Sequence, residues 1–192
     1  MDDRNVWRSR TSALVEASLS RPRLTHSREV ARLASELSDR FHADEEKGYI
    51  AGMTHDLARE LSEAEIVLLA RTDTPLVTDW EKAHPLILHG RAAAAILLKH
   101  TGYGDPESLQ AIRDHVTGRA SMGLISKIVF VADFLEPTRE FISPEFRRRT
   151  LGLSLDEMVL AVLERKMHFV RAKAGEIAPD SIALHDELTA HA

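Results

Sequence analysis

The chain has 192 residues, long enough for one domain with a real core and short for two. With 44% hydrophobic and 29% charged residues, nine Gly and seven Pro, it is neither low-complexity nor collagenous. It has no Cys, so any metal must bind through nitrogen and oxygen, and its net charge of −5 argues against an extended nucleic-acid surface.

No apolar run approaches the roughly 18 residues of a membrane span, and the acidic opening Met1-Asp2-Asp3-Arg4-Asn5 lacks the layout of a signal peptide. The expected location is a reducing cytoplasm. In chain order, every element reads as helix. The first runs from about Asn5 to Leu19, with Leu14, Val15 and Leu19 as its apolar positions. From Leu24 to Phe41 the apolar set Val30, Leu33, Ala34, Leu37 and Phe41 is spaced three and four apart. Asp44 caps the next helix, with Glu45 and Glu46 in its first turn; it carries Ile50, Met53 and Leu57 and delivers His55-Asp56 near its C-terminal end. Ser62 with Glu65 forms a capping box for a short helix to about Ala70, and Arg71 to Asp79 reads as a loop. The apolar stretch Leu86 to Leu98 is broken by Gly90 and closed by Thr101-Gly102.

Asp105-Pro106 is an N-cap followed by Pro at the first helical position, with Gly118 marking the far end. Ser121 opens a helix from Met122 to Leu135, stopped by Pro137. Ile128-Val129-Phe130-Val131 has no second strand to pair with, so it too reads as helix. Ser143-Pro144 starts a short helix closed near Gly152, Ser154 with Glu157 opens a long one to about Lys173, and Asp180 to Leu188 forms a last, weaker helix. With no repeat and no linker, the expectation is an all-α, single-domain helical bundle over 1–192, its core about 24–170.

Scattered through these helices are candidate metal ligands: His26, His55, Asp56, His89, His115 and Asp133. A bundle can build a metal site from side chains of several helices pointing inward. Helix neighbours point about 100° apart, so His55 and Asp56 share a metal only if it lies beside their helix, between the two directions. His26 and Asp133 can complete a first site. His89 and His115, with Asp56 bridging through its second oxygen, can hold a second. Two metals about 3.5–4 Å apart suit phosphoryl hydrolysis, because a hydroxide between them is a nucleophile at neutral pH. Against this, a single His on a helix is ordinarily a surface or hydrogen-bonded core residue. What favours ligation is the setting of small and apolar residues around His55-Asp56, since a buried Asp needs a partner.

The ordered set His26 … His55-Asp56 … Asp133 resembles the metal-binding pattern of the all-helical HD-domain phosphohydrolase superfamily. Four blocks narrow the resemblance to its YqeK family: Ala51 to Arg59, His89-Gly90, Ala111 to Gly118, and Val131 to Arg139. The resemblance runs from about Leu24 to Val170. It implies symmetrical hydrolysis of diadenosine tetraphosphate to two ADP by a metal-bound hydroxide at a two-iron centre, manganese or another first-row metal also suiting imidazole and carboxylate ligands. It implies His26, His55, Asp56 and Asp133 around one metal, and His89, His115 and the shared Asp56 around the other. Thr117, Gly118 and Arg139 would lie near the polyphosphate, and Arg59 would act with Asp56 in catalysis. Two departures stand out. Val116 replaces one of the family's paired threonines, and Arg59 replaces a Lys, keeping the charge but unable to give up a proton near neutral pH.

His84 is the rival to His89, but Pro85 places it outside the helix. His42, His100, His168, His185 and His191 read as surface or capping residues, and Arg147-Arg148-Arg149 as a solvated helix face. The stripe Leu155, Met158, Val159, Val162, Leu163 and Val170 reads as core or as a homodimer interface. The expected partner is a small nucleotide, with no nucleic acid and no membrane. Two other functions compete: an HD phosphatase or phosphodiesterase acting on another nucleotide, and a non-catalytic nucleotide sensor, against which six occupied ligand positions argue.

Overall fold

Two helices, α2 (Arg21–Arg40) and α3 (Glu45–Thr54), make the most extensive helix contact among the described residues. The computed structural model describes residues 3–190, with side chains from 6 to 190. The two backbones approach closely because α3 turns Gly48 and Gly52 toward α2. A Cβ on Gly52 would lie 2.9 Å from the Cα of Ala31, and one on Gly48 would lie 3.0 Å from the Ala34 carbonyl oxygen. Asp44 caps α3 as expected, its carboxylate accepting the backbone N–H groups of Glu46 and Lys47 at 2.9 and 3.2 Å.

Around this pair lie α1 (Asp3–Ser18), α4 (Glu63–Asp73), α5 (Asp79–Ala83), a 3₁₀ turn (Pro85–Leu88), α6 (His89–Thr101), α7 (Pro106–Asp114), α8 (Leu124–Leu135), α9 (Pro144–Leu151), α10 (Leu155–Ala172) and α11 (Pro179–Thr189). No strand occurs among the described residues. The run Ile128 to Val131 lies inside α8 and is fully buried, so its all-round apolar character marks a helix at the centre of the fold. From α10, Leu155, Met158, Val159, Val162 and Leu163 are buried within this chain, which assigns most of that stripe to core. One connected cluster of buried side chains runs from Val15 to Leu184.

α1 packs on α3 and α6, with Trp7 edge-on to Tyr103 at 5.2 Å. α11 is pinned to the turn after α7. The Ser181 hydroxyl donates to the Thr117 carbonyl at 2.6 Å, the Glu187 carboxylate accepts the Ser121 N–H at 2.8 Å, and Leu184 is fully buried.

Five elements differ from the sequence expectation. α4 runs on to Asp73, into the stretch read as loop, and a short α5 follows that loop, opened by a Thr78–Glu81 capping box. Gly90 does not break α6. It sits in the first turn, where a Cβ would lie 2.6 Å from the Ile112 carbonyl oxygen, so its small size admits α7. α7 ends at Asp114 and the chain turns to Gly118, at φ +65°. α8 starts at Leu124 with Gly123 as its N-cap, because Ser121, the expected opener, has a left-handed backbone at φ 57°.

Candidate metal centre

Three of the six candidate ligands occupy helix ends. His55 follows the last residue of α3, His89 is the first residue of α6, and His115 follows the last residue of α7. Each repeats one local geometry. The ring Nδ1 meets the carbonyl oxygen three residues earlier, at 2.6 Å (Gly52), 2.6 Å (Leu86) and 2.7 Å (Ile112). A carbonyl oxygen only accepts, so Nδ1 carries the hydrogen, and a neutral ring then has its lone pair on Nε2. His26, on α2, reaches the same state differently: its Nδ1 lies 3.0 Å from the carboxylate of Glu136, which is fully buried.

All four Nε2 atoms point to one place. His26 Nε2 is 3.2 Å from His55 Nε2, and His89 Nε2 is 3.0 Å from His115 Nε2. Asp56 stands between the pairs with one oxygen toward each. Oδ2 lies 3.5 and 3.7 Å from the Nε2 atoms of His55 and His26, while Oδ1 lies 3.3 and 3.7 Å from those of His89 and His115. Asp133 Oδ1 closes the first group at 3.2 Å from His26 Nε2 and 3.6 Å from His55 Nε2.

This donor set suits metal ions. Two imidazole lone pairs facing each other at such distances repel unless a cation or proton lies between them, and these buried carboxylates add acceptors without adding donors. Two triads, His26–His55–Asp56 and Asp56–His89–His115, bring ligand atoms within 4.8 Å of one another. Nitrogen and carboxylate donors of this kind suit divalent first-row metals.

The titration of these groups follows from burial and neighbours. Burial pushes the Asp56 carboxyl up, but His55, His115 and His89 outweigh it and hold it well below the ordinary carboxylate range. Asp133 is likewise lowered against its burial, by His26, His55 and Arg139. Burial, reinforced by the neighbouring rings of His55 and His89, pushes His115 down to about 4 in spite of Asp56. For His26 the burial that lowers it is overcome by hydrogen bonds with Asp133 and Glu136, and it rises.

Three cations surround the acceptors. Arg139 donates from Nη2 to Asp133 Oδ1 at 2.6 Å and from Nε to the Asp133 carbonyl at 3.1 Å, and Nη2 comes within 3.3 Å of His26 Nε2. Arg23 donates to Asp56 Oδ2 at 2.7 Å. Lys166, on α10, donates to the carbonyls of His115 and Val116 at 3.0 and 3.2 Å, lies over the Phe130 ring, and sits 3.9 Å from Asp133 Oδ2. Burial pushes its ammonium down to about 8.

Of the residues expected near phosphate, Arg139 stands at the cluster. Arg59 is half-buried, its N–H closing a turn on the Asp56 carbonyl at 2.9 Å, and its side chain has no hydrogen-bond or ionic partner among the described residues. The Thr117 hydroxyl donates to the Gly118 carbonyl at 3.0 Å. Gly118 is a packing residue in this geometry, since a Cβ there would lie 2.5 Å from Leu184 Cδ2.

His84 stays outside the cluster, stacked on Trp80 with ring centres 4.2 Å apart. His42, His100 and His168 are exposed and His185 half-exposed; His191 lies outside the described residues. Arg147 departs from the solvated reading. It is half-buried and donates to the carbonyls of Leu135, Glu136 and Arg139, so it ties down the chain after α8, while Arg148 and Arg149 are exposed.

Sequence reasoning assigned no role to Arg23, Glu136 or Lys166. Spacing held a signal for two of them: Arg23 precedes His26 by three and Glu136 follows Asp133 by three, one helical turn in each case. Lys166 carried none, because only the packing of α10 on α8 brings it in.

Comparison with known proteins identifies the family. The family model described as HD domain matches residues 23–138. A protein of Bacillus subtilis named bis(5'-nucleosyl)-tetraphosphatase, symmetrical, is 30% identical over 182 residues, covering 94% of this chain and 97% of its own. One of Halalkalibacterium halodurans with the same name is 31% identical, covering 94% and 96%. A crystal structure from Clostridium acetobutylicum, described as a predicted HD superfamily hydrolase involved in NAD metabolism, superposes with a TM-score of 0.91 at 29% identity, covering 96% of this chain and 98% of that one. The matched stretch contains all six clustered side chains, and the chain belongs to the HD-domain superfamily, in the YqeK family its motifs resemble.

Proposed function

We propose that this protein is a metal-dependent phosphohydrolase that cleaves diadenosine tetraphosphate symmetrically into two ADP. The observation that carries it is the match, along 94% of the chain, to two relatives named for that activity. The His/Asp cluster supports the chemistry. His26, His55, Asp56 and Asp133 would hold one metal ion, and His89, His115 and Asp56 a second. The two Asp56 oxygens facing opposite His pairs support the bridging role. Iron is the metal we assign, with manganese or another first-row metal fitting the same donors.

Bound metals would supply Lewis acidity at the phosphate oxygens and a water that is easier to deprotonate. The chain's own residues then have separable tasks. The backbone carbonyls and Glu136 hold each Nδ1 hydrogen, so every imidazole presents Nε2 in a fixed direction. Arg139 and Arg23 are partly exposed, at 25% and 27%, and stand where the charge of a polyphosphate would fall. Arg59, with its side chain free among the described residues, would stabilise charge on the departing ADP. As a guanidinium it contributes charge and hydrogen bonds, so the leaving oxygen must take its proton from elsewhere. Thr117 and Gly118 would border the phosphates, the former through its hydroxyl.

The test is incubation of metal-loaded protein with diadenosine tetraphosphate and chromatography of the products. Two ADP per substrate is expected. AMP with ATP, or no turnover with iron or manganese present, would overturn the reading.

A further inference from the structure

Phe141 is 68% exposed, yet it is not loosely placed. Its neighbour Ile142 is 6% exposed and anchors the chain in the core. The Ile142 N–H donates to the Arg139 carbonyl at 3.1 Å, and Arg147 Nη2 donates to the same oxygen at 3.0 Å. The ring is fixed on one edge by Phe134, at 5.9 Å between centres and 75° between planes. Arg139 Cζ lies 5.6 Å from the ring centre. What sets this ring apart is its placement: an aromatic face open to water, oriented by Phe134 and Arg139 on a backbone anchored through Ile142 and Arg147.

Arg139 also fixes where this face lies. Its Nη2 is 3.3 Å from His26 Nε2 and its Cζ is 5.6 Å from the Phe141 ring centre, so with one C–N bond along the path the ring centre lies at most about 10 Å from His26 Nε2. A ribose and its first phosphate cover such a span between a base and an inner phosphorus. An aromatic face with a guanidinium beside it is the chemistry that receives a nucleobase, through stacking and hydrogen-bond donors.

We infer that Phe141 is the platform on which one purine base of the substrate stacks, while Arg139 bridges from that base's phosphates to the metal cluster. The inference rests on the cluster binding nucleotide phosphates. It assigns Phe141 to recognising the nucleoside and gives it no part in bond cleavage.

The experiment titrates ADP and, separately, inorganic pyrophosphate into the metal-loaded protein by calorimetry. Both carry a diphosphate, and only ADP carries a base. Wild type should prefer ADP, Phe141→Ala should lower the ADP-to-pyrophosphate affinity ratio about tenfold, and Phe141→Trp should restore it. An unmoved ratio, an equal loss for both ligands, or no preference in wild type would overturn the platform. Because the readout is binding, wild type that binds ADP but fails to split the dinucleotide defeats the substrate reading alone, and the ratio still decides the role of Phe141.

Discussion

Asp56 and Glu136 are both buried carboxylates, and they do different work at the same cluster. Asp56 turns its oxygens directly to the four Nε2 atoms. Glu136 stands behind His26, taking its Nδ1 hydrogen together with the Thr138 N–H at 2.6 Å and the Thr138 hydroxyl at 2.7 Å. Burial pushes Glu136 up, but the bonds from His26 and Thr138 outweigh it and keep it below the ordinary range, so it is a charged acceptor. Glu136→Gln keeps the size and removes the charge. An amide nitrogen could then face Nδ1 and force the hydrogen to Nε2, where it blocks the lone pair. We expect about a 10–100-fold loss of affinity at the His26–His55 metal, as with other losses of an orienting carboxylate. Competition with a chelator should show one weakened and one unchanged metal. Equal weakening of both, or no change, would contradict this division.

At the scale of elements, each half of the cluster depends on two helices coming unusually close. Gly52 admits α2 and so joins His26 to His55; Gly90 admits α7 and so joins His89 to His115. Gly90→Ala would place a Cβ 2.6 Å from the Ile112 carbonyl oxygen, the atom that accepts His115 Nδ1–H, and 3.3 Å from that nitrogen. Backbone there cannot yield as a flexible side chain could, so α6 and α7 must part, at a cost of about 1–3 kcal/mol. The expected result is a metal content falling from two toward one per chain, with a lower urea midpoint; two retained metals would show that the close approach is dispensable. Most helices were legible because their signals are local: Asp44, Ser62 with Glu65 and Asp105-Pro106 all start helices where the pattern places them. The six clustered side chains were legible through their order and the blocks around them. What was hidden depended on neighbours distant in sequence. Gly90 reads as a breaker until α7 lies against it, α5 is only five residues long, and the backbone of Ser121 is set by a turn that α11 covers. Arg23 looks like any surface arginine until α3 brings Asp56 to it.

On the scale of the whole molecule, a set of acceptors drawn from five helices must be held together against its own repulsion. In the metal-free protein this makes stability depend on pH in two separate windows. His115 ordinarily titrates near 6.5 and is pushed down to about 4 in the fold by burial. Between those values the unfolded chain binds a proton that the folded one refuses, so acidification through this window costs stability, by about 3 kcal/mol for the full shift. His26 is raised above 6.5, so its contribution is fully present below that pH and is lost as pH rises through its folded value. The two effects oppose each other on either side of 6.5 and do not overlap. Metal ions that bind only the folded chain add stability at neutral pH, about 2.7 kcal/mol at a hundredfold excess over the dissociation constant, and compete with protons for the same nitrogens. Thermal unfolding of chelated protein should therefore show a midpoint that is highest near pH 6.5 and falls toward pH 4. Metal-loaded protein should unfold at a higher temperature at pH 7 and approach the chelated curve toward pH 4, as protons compete with metal for the His26 and His115 nitrogens. Asp56→Asn should remove most of the metal-dependent rise, because both triads lose a charged ligand at once. A chelated profile flat between pH 6.5 and 4 would mean that His115 is not held as a buried neutral ring, and an undiminished metal shift in the Asp56 variant would mean that the two triads do not share it.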